Sequence, residues 1–81
     1  MKHEVQAAII REGGRIVVLG RLKSGQRYAV NVWPDDGTGQ IVAQLRDAGR
    51  FPVDLQVELE ADAIAWYPTI LAEWHEQHDQ R

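Results

Sequence analysis

The sequence predicts an α+β fold: a small antiparallel sheet in βββαβα order, with two helices packed mainly on one face. Three observations carry that expectation. Two glycine-containing turns separate apolar runs of similar length in the N-terminal part of the chain. Val53-Asp54-Leu55-Gln56-Val57-Glu58-Leu59-Glu60 places an apolar residue at every second position, with acidic or amide side chains between. Finally, Ile64, Tyr67, Ile70, Leu71 and Trp74 recur at the i, i+3, i+4 spacing of a helix.

The first strand is expected over Glu4 to Ile10, where β-branched residues are frequent and Glu12-Gly13-Gly14 signals a turn. The second covers Arg15 to Leu22. Its Ile16 and Val18 point one way while Val17 and Leu19 point the other, so it belongs at the centre of a sheet with both faces at least partly covered. Gly20 marks a bulge or a close backbone approach. After the turn at Lys23-Ser24-Gly25-Gln26, Arg27 to Trp33 alternates again as a third strand. Pro34-Asp35-Asp36-Gly37-Thr38-Gly39 then interrupts the sheet.

Ile41, Val42 and Leu45, followed by Gly49, read as a short helix with Thr38 as its N-cap and the glycine ending it. Arg50-Phe51-Pro52 leads into the alternating segment 53–60, which reads as a fourth strand with an outward row of carboxylates. Asp62 could cap the last helix, which starts or kinks at Pro68. No linker, repeat or low-complexity segment divides the chain, so 1–81 is expected to be one small globular domain.

At 81 residues the chain is near the lower limit for folding without staples, and it has no cysteine. Disulfides, thiolate zinc sites and thiol nucleophiles are therefore excluded, and packing alone must stabilise the fold. The longest mostly apolar run, Ala63 to Ala72, is about half of the ~20 residues needed to span a bilayer. The apolar stretch after Lys2 is too short for a secretory signal. A soluble, cytoplasmic protein is expected, with no membrane partner.

Charge is sorted by region. Residues 1–50 carry 8 Lys/Arg against 5 Asp/Glu, a net of +3; residues 51–81 carry 1 against 7, a net of −6. The basic residues Arg11, Arg15, Arg21, Lys23 and Arg27 gather around the first two hairpins and could meet phosphates, although only Tyr28 lies near them to stack a base. The acidic residues Asp54, Glu58, Glu60, Asp62, Glu73 and Glu76, with Asp35 and Asp36, suggest a face for a basic partner. Carboxylates along a strand would alternatively prevent edge-to-edge pairing.

Motifs for chemistry are sparse. His75 and His78 share a helix face beside Glu73, Glu76 and Asp79, yet a chain end gives metal ligands no rigid support. Asp35 to Gly39 lacks the alternating oxygen ligands and terminal glutamate of a Ca²⁺ loop, and no lysine follows it as in a phosphate-binding loop. Ser24, Thr38 and Thr69 sit in no recognisable nucleophile setting. No catalysis, cofactor or metal is expected.

The expected function is a non-catalytic protein-binding module, an inhibitor or regulator that docks on a basic protein surface through Trp33, Asp35, Asp36, Asp54, Glu58, Glu60 and Asp62. As a class, small cysteine-free inhibitors of this kind occur on phages and mobile elements, and an anti-CRISPR-like role would suit the carboxylates. One alternative is a nucleic-acid-binding domain that uses the basic hairpins. Another is a homo-oligomer such as a homodimer, covering the second apolar face at Val17, Leu19, Ala29 and Trp33.

Overall fold

The expected hairpins form where glycine permits tight reversals. In the computed structural model, which describes residues 3–79, β1 (His3–Ile10) and β2 (Ile16–Leu22) are joined through a 3-10 turn at Glu12–Gly14. Gly14 holds φ at +76°, and a side chain there would also crowd the Tyr67 hydroxyl. β3 (Arg27–Pro34) follows the second turn, and β4 (Ile41–Leu45) follows the third. The four strands form one antiparallel meander in the order β1-β2-β3-β4. As expected, β2 is central.

The structure replaces the short helix expected over 41–49 with the edge strand β4. The reason lies in the loop before it. The Asp35 carboxylate accepts from the backbone N–H groups of Gly37 (3.2 Å) and Thr38 (3.0 Å) and from the Thr38 hydroxyl (3.0 Å). Thr38 in turn accepts from the Gln40 N–H at 3.2 Å, and the Asp35 N–H donates to the Gln40 carbonyl at 2.7 Å. Thr38 therefore organises a hairpin loop and caps no helix. The β-branched Ile41 and Val42 then pair with Pro34 and Trp33. Gly49 lies in a single 3-10 turn, Ala48–Arg50.

The alternating segment 53–60 is likewise helical, not a strand. It opens α1 (Val53–Asp79), one continuous helix where a strand followed by the last helix was expected, so the expected βββαβα order becomes ββββα and the two expected helices become one. Leu55, Leu59, Ala63, Tyr67, Ile70 and Trp74 form an i, i+3/i+4 series that runs through both segments, and it competes with the period-2 pattern. The helical series prevails because it buries its members together: Leu59, Ala63, Tyr67 and Ile70 are all in the core. Val53 and Val57, which the strand reading would have buried, are 70% and 62% exposed. Pro68 sits inside α1 on its exposed side. There the Ile64 carbonyl, which loses its N–H partner, can turn to water.

α1 packs over the β3–β4 half of the sheet and encloses the core with Ile16, Val18, Tyr28, Val30, Val32, Leu45 and Phe51. Trp66 packs against this cluster, whereas Trp74 is outside it and meets the His75 ring edge-on with centroids 5.2 Å apart. The Tyr28 ring lies directly over its cross-strand partner Gly20, where a methyl group would overlap it. The glycine thus marks the close approach that its place in a strand suggests.

Two side chains of α1 fasten it to the sheet. Tyr67 donates to the Gly14 carbonyl at 2.6 Å. Glu60 accepts from the Leu45 N–H at 2.9 Å. In the register Val30↔Leu45, that N–H points outward from the edge of the sheet, so Glu60 blocks the open edge of β4.

Two stability predictions follow from α1. Glu60→Ala should cost about 1–3 kcal/mol in chemical denaturation, because the Leu45 N–H loses its partner in a part-buried setting. Pro68→Ala should raise stability by about 1–3 kcal/mol, the helix-interior penalty of proline less its benefit in the unfolded chain. A neutral Glu60→Ala would show that the edge N–H finds water as readily as carboxylate.

Candidate functional site: the open face of the sheet

Among the described residues one α-helix packs on the four-stranded sheet, and it covers one face. The strand alternation assigns residues to the other. Ala7, Ile9, Val17, Leu19, Ala29, Asn31, Trp33 and Val42 share it through the pairs Ala7↔Leu19, Ile9↔Val17, Leu19↔Ala29, Val17↔Asn31 and Trp33↔Val42. No element among the described residues packs over them. Ile9 is 44% exposed, Trp33, Leu19, Ala29 and Val42 are half-buried, Val17 at the centre is only 5% exposed, and the polar pair Asn31↔Gln44 crosses the face. Four strands at ~4.8 Å spacing and three side-chain rows at ~7 Å give an apolar centre of about 300–400 Å². That is near the largest patch an ordinary monomer exposes.

The same alternation places arginines around this centre. Arg21 and Arg27 face each other across β2 and β3, and Arg46, whose N–H donates to the Ala29 carbonyl at 2.8 Å, continues the row beyond β4. At the other end, Arg11 and Arg15 extend β1 and β2 by one step with extended backbones, joined by a 2.7 Å bond from the Arg11 N–H to the Arg15 carbonyl. Four of the five basic residues picked out in the sequence thus flank one face at its two ends, and the fifth, Lys23, lies in the β2–β3 turn beside them. Sequence reasoning missed Arg46. Reading Ile41–Leu45 as a strand would have revealed it, since a five-residue segment opening on the β-branched Ile41 and Val42 after a glycine turn is short for a helix.

The carboxylates lie elsewhere. Asp54, Glu58 and Asp62 fall at i, i+4 on α1, which packs on the opposite side of the sheet from Trp33. Glu60 faces β4 and is used internally. Asp35 is also used internally: its bonds from Thr38, with a smaller contribution from Gly37, hold its pKa below the usual carboxylate value. Asp36 is exposed beside it, in the loop next to Trp33 along the chain. The structure therefore brings Trp33 together with the Asp35–Asp36 loop, and does not bring it together with the helix carboxylates. His75 lies on the last described turns of α1, and the side chain of His78 is outside the described residues. Among the described residues, no three potential metal ligands converge. No described helix is long and apolar enough to cross a membrane.

Comparison of the chain with protein-family models, with curated proteins and with solved structures finds no match.

Burial also acts on Tyr28, at the arginine-rich end of the sheet. Desolvation, reinforced by the Asp62 carboxylate, pushes its pKa up to about 12. Tyr67 is raised as well, by desolvation. A folded-state pKa above the unfolded one means stability that is complete below pH 10 and is lost as pH rises toward about 12, because only the unfolded chain ionises in that window. Absorbance titration of the native protein should show Tyr28 ionising near pH 12, with unfolding free energy falling from pH 10 upward. A single two-tyrosine transition at pH 10 would show that the ring is not packed over Gly20.

Proposed function

We propose that this chain is a non-catalytic protein-binding module, an inhibitor or regulator, that docks through the open face of its sheet. The observation that supports this reading is the face itself: an apolar centre with Trp33 on it, flanked at both ends by arginines and left uncovered by α1. Interfaces are built this way, with aromatic and apolar residues desolvated at the middle and arginine enriched around them. The centre alone is about half of the ~800 Å² that each side of a stable complex buries, and the flanking arginines supply area as well as charge.

The charge also bears on the partner. Both ends of the face are basic, so any two-fold pairing of two copies through it would oppose arginine to arginine. A different protein, with an apolar ridge between carboxylates, fits better than a second copy. A second reading keeps the carboxylates as the docking surface. Its support is the stripe Asp54, Glu58, Asp62 along α1, with the exposed Val57 and Ile64 on the same helix. That surface would take a basic partner.

The test separates the two. Leu19→Glu with Trp33→Ala alters the sheet face, and Asp54→Lys reverses charge on the helix stripe; Glu60 is left alone because it holds β4, and Asp62 because its carboxylate acts on Tyr28. Each folded variant is used to capture partners from host lysate after nuclease treatment. The expected result is a stoichiometric protein retained by the helix variant and lost, with affinity reduced by about a hundredfold or more, by the sheet variant. Loss on the helix variant alone would transfer the function to the carboxylates. Partners that disappear with nuclease would overturn both readings in favour of nucleic acid held by the arginines.

A further inference from the structure

β4 ends at Leu45, opposite Val30, so the first residues of β3 extend past it. The chain leaves the sheet through Asp47, the one described non-glycine residue with positive φ (+52°), and enters the 3-10 turn Ala48–Arg50. This departure creates an open cavity of about 300 Å³ at the corner of the sheet. Arg27, Arg46 and Arg50 all line it, with Asp47, the aromatic residues Tyr28 and Phe51, and Leu19 and Ala29 of the open face. We propose that this cavity is a binding site for a phosphate monoester, at the end of the open face and sharing Leu19, Ala29, Arg27 and Arg46 with the docking surface above.

Three features support the assignment. The lining carries three guanidinium groups and one carboxylate, a net of +2, which matches a phosphate monoester of about −1.5 to −2 at neutral pH. Arg21 stands directly opposite Arg27 at a pair whose backbone bonds point away from each other, the closer of the two antiparallel spacings. Like charges set there repel one another, and a bound anion would relieve the repulsion. The main chain contributes as well. The Ala29 carbonyl bonds toward β4, so the Arg27 N–H, two residues earlier, points the same way where no strand residue lies opposite. A planar guanidinium set beside an N–H directed at the cavity suits bidentate grasp of phosphate oxygens. The volume is at the small end of ligand sites, enough for a phosphate and one compact ring against Phe51.

The phosphate could come from a free nucleotide or metabolite, or from the terminal phosphate of a nucleic acid strand. The experiment is an amide NMR titration of the full chain with adenosine monophosphate, phosphoserine, adenosine, and a single-stranded oligonucleotide carrying internal phosphodiesters only. Adenosine monophosphate and phosphoserine should shift the amides of Arg27 and of residues 46–51 saturably, and adenosine should not. Arg46→Gln and Arg50→Gln, both at exposed positions, should each weaken binding about tenfold. Binding should also weaken below pH ~6, where the monoester takes up its second proton. Absence of saturable shifts up to about 10 mM ligand, or affinity unchanged in the double variant, would overturn the site. Tighter binding of the oligonucleotide, with shifts reaching Arg11 and Arg15, would overturn it in favour of a backbone-tracking surface.

Discussion

The packing of α1 against the inner face of β3 and β4 is the contact from which the other properties of this protein follow. A chain of 81 residues has material for one sheet and one long helix, and the two can form only two layers. The helix's 27 residues span about 40 Å at 1.5 Å per residue, which accounts for the 42 Å long axis of the molecule. Every large side chain on the inner face is needed beneath it. Among the described residues no helix or strand covers the outer face, whose strands are also apolar at Val17, Leu19 and Ala29.

That division turns a regional charge bias into a spatial one. The basic part of the sequence forms strands, and strand alternation directs Arg21, Arg27 and Arg46 to the uncovered side because the inner side is filled by valine, isoleucine and leucine. The acidic part forms the helix on the other side. The molecule is therefore polar through its thickness, with guanidinium groups around one face and carboxylates on the other. Two carboxylates that looked available have internal work instead: Asp35 closes the β3–β4 loop and Glu60 satisfies the edge of β4. Each would cost stability if treated as a surface residue.

Much of the fold was legible because hairpins are local. Glycine turns, β-branched runs and alternation over seven or eight residues fixed β1, β2 and β3 almost to the residue. The helix spacing of Ile64 to Trp74 was equally clear. The errors arose where two periods coexisted or where a run was short. Segment 53–60 satisfies both a two-residue and a four-residue repeat, since Leu55 and Leu59 belong to each. Ile41–Leu45 is too brief for periodicity to decide, and the hydrogen-bonded loop before it resembles a helix cap in sequence. At the candidate site, Val17, Leu19, Ala29 and Trp33 were readable as a second apolar face, while Arg46 was hidden behind the misread strand.

The sequence by itself determined the three-strand meander, the two-faced character of its strands and the separation of basic from acidic residues along the chain. These depend on backbone geometry within a turn or a strand, which neighbouring residues dictate. Only the tertiary structure decided that 53–60 is helical, that the helix lies on one side alone, and that five arginines from separate turns and strands flank a single open face. The physical reason is burial. Which of two compatible periods a segment adopts depends on what it can cover, and the partner surface here is a sheet assembled from residues far away in the chain.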